Sequence, residues 1–538
     1  MYIDSCNRGQ DVVYCNKKER LFAFISEGDF LFSRINSVGI YGMDAFMVEV
    51  EADANMRSEL PQFNIVGLPD AAVKEARDRV RSAMKNSQFE FPPSKVIVNL
   101  APADVKKSGA LYDLPILMSI LASFGRLNTE LLDAAFIGEL SLEGSVKPAD
   151  GMLPMAICAK ENGIKRFFVP ADNAAECCVV EGIEIYPVKH ALQLVNHLLD
   201  IEKIPVAEPI AFEKVESGYV PDFSEVKGQH KAKKAMEIAA AGGHTVLLVG
   251  PPGSGKSMLS KRLPSILPPL SFEEAIDTTK IYSIAGILPK ETPIIKDRPF
   301  RSPHHSATKV GLAGGGTIPR PGEISLAHNG VLFLDELPEF TRTSMETLRQ
   351  PLEDGVVTIS RAAGTLSYPC RMTLVAAMNP CPCGYYGHPT KQCTCSESKV
   401  RRYLGKVSGP LLDRLDLQIE VPPVEFDALN AEGKEETSAQ IRDRVIAARE
   451  IQYKRYKGTG ITCNARLTPR YLNEFCKLDE EATNLLRSAF EALGMSGRSY
   501  DRILKVARTI ADLDGSEDIK AEHLALALQF RSLDRKYF

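Results

Sequence analysis

The chain is 538 residues long, 44% hydrophobic and 25% charged, with a formal net charge of −4. Those are the proportions of an ordinary soluble globular protein, and the length predicts roughly three or four domains. The weak negative charge excludes a global field for nucleic acid, so any such binding has to come from local basic patches.

No apolar run reaches the ~20 residues that span a bilayer. The N-terminus "MYIDSCNRGQDVVYCNKKERLFAF" lacks the basic and long apolar regions of a signal peptide. A cytoplasmic location is therefore expected, with the scattered cysteines as free thiols, several of them buried. Residues 1–31 fit no pattern and are expected to be an extension, either a poorly ordered tail or the product of an upstream start. Beyond them, "AFMVEVEADA" and "KVIVNLAPAD" predict strands and "AAVKEARDRVRSAMKNS" an amphipathic helix. A region 32–205 ends at a linker, 206–222, within a stretch carrying Pro205, Pro209 and Pro221.

The next element is decisive. "HTVLLVGPPGSGKSML" predicts a buried strand, Val246–Val249, then a glycine-rich turn, then a helix. Gly250, Pro251, Pro252, Gly253, Ser254, Gly255, Lys256 and Ser257 fit G-x-x-x-x-G-K-[ST] in full. Backbone N–H groups of such a turn wrap a triphosphate at a helix N-terminus. Lys256 can reach the β- and γ-phosphates, and the Ser257 hydroxyl can ligate Mg²⁺.

"GVLFLDELPEF" supplies a second apolar strand ending in Asp335, placed to hold Mg²⁺, and Glu336, placed to polarise the attacking water. "MTLVAAMN" is a third strand, ending in Asn379, a candidate to orient that water. In "GPLLDRLDLQIEVP", Arg414 is read as exposed at the start of a further strand. It is either an arginine finger for a neighbouring subunit or half of a salt bridge with Asp413 or Asp416. "MSGRSYDRILKVARTIADL" predicts a helix with Arg498, Arg502 and Lys505 near one face. Arg498 is either a phosphate sensor or part of a solvated face.

Taken together, "GPPGSGKSML", "RPFRSPHHSAT", "GEISLAHNGVLFLDELPEF", "AAMNPCPCGYYG", "GPLLDRLDL" and "GRSYDRILKVARTIADL" resemble the blocks of the ComM/YifB family, magnesium-chelatase-like AAA+ ATPases. The resemblance runs from about Phe32 to the C-terminus. It implies an AAA+ P-loop α/β core over 223–425 and a helical linker and C-terminal lid over 426–538. It also implies ATP and Mg²⁺ as cofactors, a homo-hexameric ring and an active site shared between subunits. The partner it implies is DNA, branched or single-stranded and bound without sequence preference, with branch migration as the activity. Arg414 and Arg498 occupy the family's finger and second-sensor positions. A chelatase-like remodeller of a protein partner is the alternative, and an ATP-dependent protease a more distant one.

Within 32–205, "AFIGELSLEGSVKPADGMLPMAICAKENGIKRFFVPADNAAE" resembles a Lon-protease-type domain, an α+β fold of the S5-domain-2 kind. Such a domain works through a Ser nucleophile and a Lys base. Here Gly109 or Ser108 stands near the first position and Leu153, which cannot take a proton, near the second; Lys160 lies two helical turns further on. A non-catalytic domain is expected.

Basic charge clusters in residues 280–320, which hold seven Lys/Arg against two acids, and again in 440–470, with eight against two. Local density of this kind gives salt-sensitive binding to phosphates. DNA-contact candidates are Arg301, Lys309 and Arg320, the last beside the glycine turn "GLAGGGTIPRPG", and Arg361 near the tip of the hairpin "GVVTISRAAGTLSYP". A solvated helix face explains 440–470 equally well. The adjacent His304 and His305 diverge too far to chelate one ion by themselves.

Finally, an insertion at 380–397 follows Asn379 directly. "CPCGYYGHPTKQCTC" offers Cys381, Cys383, Cys393 and Cys395 as four thiolates for one structural Zn²⁺, with His388 in reserve. Free packing thiols and a redox switch remain as alternatives.

Overall fold

The computed structural model describes residues 31–538 apart from 56–61, 92–93, 128–130, 215–217, 219, 291, 317–318, 362–363, 425–434, 494, 532, 534–536 and 538. The expected extension 1–31 thus lies outside the described residues except for Leu31, whose backbone begins the first strand. The chain forms two compact units. One takes the chain through Ala211 together with Leu288–Pro293, the other Phe212–Ile287 and Ile294–Phe538.

In the first unit a mixed seven-stranded sheet runs in the order Gln62–Val66, Lys95–Ala101, Asp44–Asn55, Leu31–Tyr41, Ala134–Phe136, Arg166–Pro170 and Glu184–Val188. Both predicted strands are present and pair antiparallel with each other, Val50 opposite Leu100. Val48, Val50, Ala52 and Ala54 are buried while the residues between them face outward, the period of two that fixes register. The predicted amphipathic helix spans Ala71–Asn86. The Asp70 carboxylate caps it by accepting the Val73 N–H at 2.8 Å, and Val73, Ala76, Val80, Ala83 and Met84 form its buried stripe.

The second unit is built on five parallel strands in the order Phe300–Arg301, Val331–Leu334, Thr373–Met378, Val246–Val249 and Leu417–Glu420. Every residue of Val246–Val249, Val331–Leu334 and Thr373–Met378 is buried, as expected for parallel strands covered on both faces. The chain crosses from Val246–Val249 to the far edge and steps back inward, so that strand ends up between Thr373–Met378 and Leu417–Glu420. Helices Ser438–Arg455 and Gly497–Leu513 both pack on His230–Gly242, which precedes the central strand. Thr437 and Gln440 close the first of these with a reciprocal capping box. Among the described residues no helix is long and apolar enough to cross a membrane.

One buried histidine makes this unit acid-sensitive. His328 accepts the Arg371 N–H on Nδ1 at 3.0 Å, and burial pushes its imidazole down to about 4, with Asp277 opposing and nearby arginines reinforcing the shift. The folded state therefore resists a proton that the unfolded chain accepts at its ordinary value, near 6.5. This residue costs nothing above pH ~6.5, then destabilises the fold as pH falls toward 4, by on the order of 3 kcal/mol in all. His328→Asn keeps an acceptor for Arg371 without the titration. Its denaturant midpoint is expected to fall less steeply than wild type between pH 6.5 and 4; parallel curves for the two proteins would remove His328 as the cause.

Candidate nucleotide site

The site lies at the carboxyl ends of three neighbouring strands. Val246–Val249 leads into the loop Gly250–Gly255 and then the helix Lys256–Ile266. Gly250 has to be glycine because the next strand passes so close that a Cβ would sit 2.2 Å from the Val421 carbonyl oxygen. Lys256 is buried and curls back over the loop, donating to the carbonyls of Gly250 at 2.7 Å and Pro251 at 2.8 Å. Its Nζ also meets Asn379 Oδ1 at 3.2 Å. Burial pushes this ammonium down to about 8, against the pull of the Asp335 carboxylate.

The Ser257 hydroxyl donates to Asp335 Oδ2 at 2.8 Å. Two oxygen donors, one in the first turn of the helix and one at a strand end, are a set that suits a hard cation such as Mg²⁺. Glu336 follows with its backbone at φ 52°, a left-handed conformation uncommon outside glycine, and its N–H donates to Asp335 Oδ1 at 2.9 Å. This turn directs the two acids differently: Asp335 goes to Ser257, while Glu336 is left with an exposed carboxylate. Lys256, Ser257, Asp335, Glu336 and Asn379 are thus gathered at one end of the sheet.

Two neighbours of this site escape a reading of the sequence. His305 Nδ1 lies 3.4 Å from Glu336 Oε2, with the His304 ring tilted against it at 4.0 Å between ring centroids. Tyr403, buried, hydrogen-bonds the Asn379 backbone and faces the Glu336 charge. The sequence signal for His305 was the unusual "HH" pair; its partner depends on strand order, which spacing does not reveal.

Arg414 departs from expectation. It is 7% exposed, and its guanidinium pairs with Glu353 and donates to the Pro410 carbonyl at 2.6 Å, rather than standing free or meeting Asp413 or Asp416. Asp416 is taken instead by Arg502 at 2.5 Å. Packing of Gly409–Leu412 turns the side chain inward, toward the acid on Arg349–Asp354. Leu417 pairs with Val246, so Arg414 sits at the end of the sheet opposite the phosphate loop. A strand of this length separates them by ~13 Å, which leaves it no reach to its own site. Arg498 is exposed at the start of Gly497–Leu513, one turn before Arg502, and half-buried Lys505 on the same helix donates to the Ala465 carbonyl.

Most of the predicted basic clusters are also spent internally. Arg301 makes a two-pronged pair with Glu323, at 2.7 and 2.8 Å. Arg298 is held by Glu274 and by backbone carbonyls, and Lys280 pairs with Asp277. Arg301 is therefore not a free phosphate contact, because its edge strand lies beside the helix carrying Glu323. Lys309 is exposed, and so is Arg320, which also donates to the Ala285 carbonyl at 3.2 Å. Within the glycine turn, Gly314–Gly315 pairs with Arg320–Pro321. The predicted hairpin is Val356–Arg361 against Gly364–Pro369; its tip, 362–363, and the Arg361 side chain lie outside the described residues. In 440–470, Arg444 pairs with Glu237 and Glu436, Arg449 with the Ala240 carbonyl and Arg455 with Asp512. Arg442, Lys454, Lys457 and Arg470 of the same segment are exposed, so only part of its basic charge is anchored.

The four cysteines of the insertion converge: their sulfurs all lie within 4.8 Å of one another, with Cys381–Cys383 at 3.3 Å, Cys383–Cys393 at 3.5 Å and Cys381–Cys393 at 3.7 Å. A tetrahedral ion with bonds of ~2.3 Å requires sulfurs ~3.8 Å apart, so the set fits Zn²⁺. His388 is not among them. Its Nδ1 accepts the N–H groups of Thr390 at 3.1 Å and Lys391 at 3.0 Å.

Three family models match this chain: "Magnesium chelatase, subunit ChlI" over residues 222–429, "Subunit ChlI of Mg-chelatase" over 50–173, and "Magnesium chelatase, subunit ChlI C-terminal" over 435–531. The YifB protein of Salmonella typhimurium is 43% identical over 498 residues, 92% of this chain and 96% of that protein. The chain belongs to the magnesium-chelatase-like ComM/YifB family. Competence protein ComM of Haemophilus influenzae is 44% identical over 501 residues, again 92% of this chain and 96% of the relative. As a member of this family the chain carries the P-loop and acidic strand of an AAA+-like ATPase domain on a parallel sheet. Similarity to Lon is weak and partial: Lon protease 2 of Bacillus subtilis is 27% identical over 180 residues, 31% of this chain.

Proposed function

We propose that this ComM/YifB-family chain is an ATP-driven, ring-forming DNA motor that performs branch migration in recombination or transformation. The observation that carries the ATPase part is the meeting of Lys256, Ser257, Asp335, Glu336 and Asn379 at the ends of three adjacent strands. In that arrangement Lys256 holds the β- and γ-phosphates, Asn379 orients the water, and a Glu336 carboxylate oxygen takes its proton. Ser257 and Asp335 would hold Mg²⁺, which supplies charge neutralisation on the phosphates. Arg414, too far from its own phosphate loop, would serve a neighbouring subunit after exchanging Glu353 for phosphate, with Arg498 sensing the nucleotide from the lid. The competence relative supports the DNA side of this reading, and exposed Lys309 and Arg320 are the first contacts to test.

The domain of residues 32–205 is read as a non-catalytic Lon-type relative. Leu153 is buried, and Lys160 extends toward Gly182, where an added Cβ would meet its Cε at 3.6 Å. The four thiols are read as a Zn²⁺ site. The chelatase descriptions favour, as the second reading, a remodeller of a protein partner.

A synthetic four-way junction separates the two. Wild-type protein is expected to exchange its strands with ATP, Lys256→Ala to fail, and junction DNA to raise the ATPase rate. An ATPase rate indifferent to DNA, with no binding at low salt, sinks the helicase reading and leaves the remodeller.

A further inference from the structure

The cysteine loop touches the nucleotide site twice. It leaves the central sheet at Asn379, whose side chain is already engaged with the Lys256 ammonium at 3.2 Å. A few residues later Gly384, at φ 84°, lies flat against the phosphate loop: a Cβ there would be 2.4 Å from Cδ and 2.8 Å from Cγ of Pro252. Between these contacts Cys381 is buried and accepts the Tyr386 N–H on its sulfur at 3.3 Å. The face that meets Pro252 is thus part of the turn that the first cysteine pair shapes.

Residues 380–396 contain no helix or strand. A segment of that length held only by turns has large conformational freedom, and closure by four ligands to one ion removes most of it. Pro252 itself is exposed in a loop whose backbone has to be preorganised for phosphate. A stiff wall behind that loop favours nucleotide binding because less ordering remains to be done when the nucleotide arrives.

We propose that Cys381, Cys383, Cys393 and Cys395, closed around one Zn²⁺, turn this insertion into a buttress for the phosphate loop through Gly384 and Pro252, so that ATP affinity depends on the metal. The proposal rests on the ATPase reading of the same site and adds its regulation: removal of zinc weakens nucleotide binding without touching any phosphate-contacting residue.

The test uses the full chain, with metal content and the Kd of a fluorescent ATP analogue as readouts. Purified wild type is expected to hold about one zinc per chain. Chelator-stripped wild type and Cys393→Ser/Cys395→Ser are expected to bind the analogue about tenfold more weakly. Added zinc restores the stripped wild type and leaves the double variant weak. Gly384→Ala keeps all four thiols and its zinc, yet is also expected to lose about tenfold in affinity, because its Cβ displaces Pro252. Wild type without metal, metal-free protein with undiminished affinity, or Gly384→Ala with wild-type affinity each overturns the proposal. Should the metal-free forms unfold, the Gly384→Ala result decides alone. A wild type that carries zinc but binds no nucleotide would instead refute the ATPase reading on which this builds.

Discussion

Glu336→Gln is expected to lower ATP turnover about a thousandfold while leaving nucleotide binding intact, the loss typical when a general base is removed. The geometry separates it from its neighbours. Asp335 is tied to Ser257 and belongs to the cation set, whereas the left-handed backbone at Glu336 swings its carboxylate away, exposed except for His305. The amide of glutamine keeps the size and the hydrogen-bonding reach but cannot accept the proton. Lys256→Ala should fail one step earlier, at binding, because the ammonium that grips the loop carbonyls is also the one that would grip phosphate. His305→Ala is expected to fall between wild type and Glu336→Gln, lowering kcat less than about tenfold with little change in Kd, since it positions the base and transfers nothing. Steady-state phosphate release together with analogue binding reads all three. Hydrolysis by Glu336→Gln above a tenth of the wild-type rate would mean that another group is the base.

Some of this site was open to sequence reading because the chemistry is local. The strand, glycine-rich turn and helix around Lys256 are contiguous, and each demand on backbone conformation is met by a nearby residue, so the motif carries its own structure. The acidic strand and Asn379 were found the same way, as polar residues ending apolar runs. What could not be read depends on partners distant in the chain. Arg414 was expected to be exposed, but its partner Glu353 lies on a helix before the Val356–Pro369 hairpin, and nothing near Arg414 announces it. Arg301 counts as a free charge until the helix beginning at Glu323 is folded beside it. The approach of His305 to Glu336 follows from the pairing of Phe300–Arg301 with Val331–Leu334, and the contact of Gly384 with Pro252 from that of Thr373–Met378 with Val246–Val249. Local pattern names the elements; their order in the sheet decides who meets whom.

The same limit hid the link between the entry to Leu417–Glu420 and the helix Gly497–Leu513, where the other large effect is expected. Asp416 Oδ1 takes the Arg502 guanidinium at 2.5 Å, and Oδ2 accepts the Thr245 N–H at 3.1 Å and faces His244 Nδ1 at 3.3 Å. From His244 the chain of polar contacts continues through Thr509 at 2.7 Å to Asn464 at 2.9 Å, and on to Asp512 with its partners Arg455 and Arg508. Burial opposes ionisation of Asp416, but Arg502, His244 and the Thr245 N–H outweigh it and hold the carboxyl well below the usual range. A depressed folded-state value gives stability that is complete above the unfolded value, near 3.9, and is lost only as pH falls through the folded one. Of these two groups, His328 is the one that responds between pH 6.5 and 4, and Asp416 keeps its charge throughout. Asp416→Ala removes one partner and strands the others, which for buried pairs costs about 3–5 kcal/mol. That corresponds to a fall of roughly 6–10 °C in Tm. Arg401→Ala is the control: its pair with Glu397 is exposed on both sides, at 80% and 77%, and should move Tm by less than about 1 °C. Because Arg502 also donates to the Arg414 carbonyl at 2.7 Å, the same substitution loosens the strand entry carrying that arginine. Below its Tm, Asp416→Ala is therefore expected to lose kcat while the nucleotide Kd holds, since Arg414 lies at the sheet end away from the phosphate loop. A variant melting within 2 °C of wild type would show that the network carries little of the attachment of Gly497–Leu513, and a loss confined to Kd would disconnect it from Arg414.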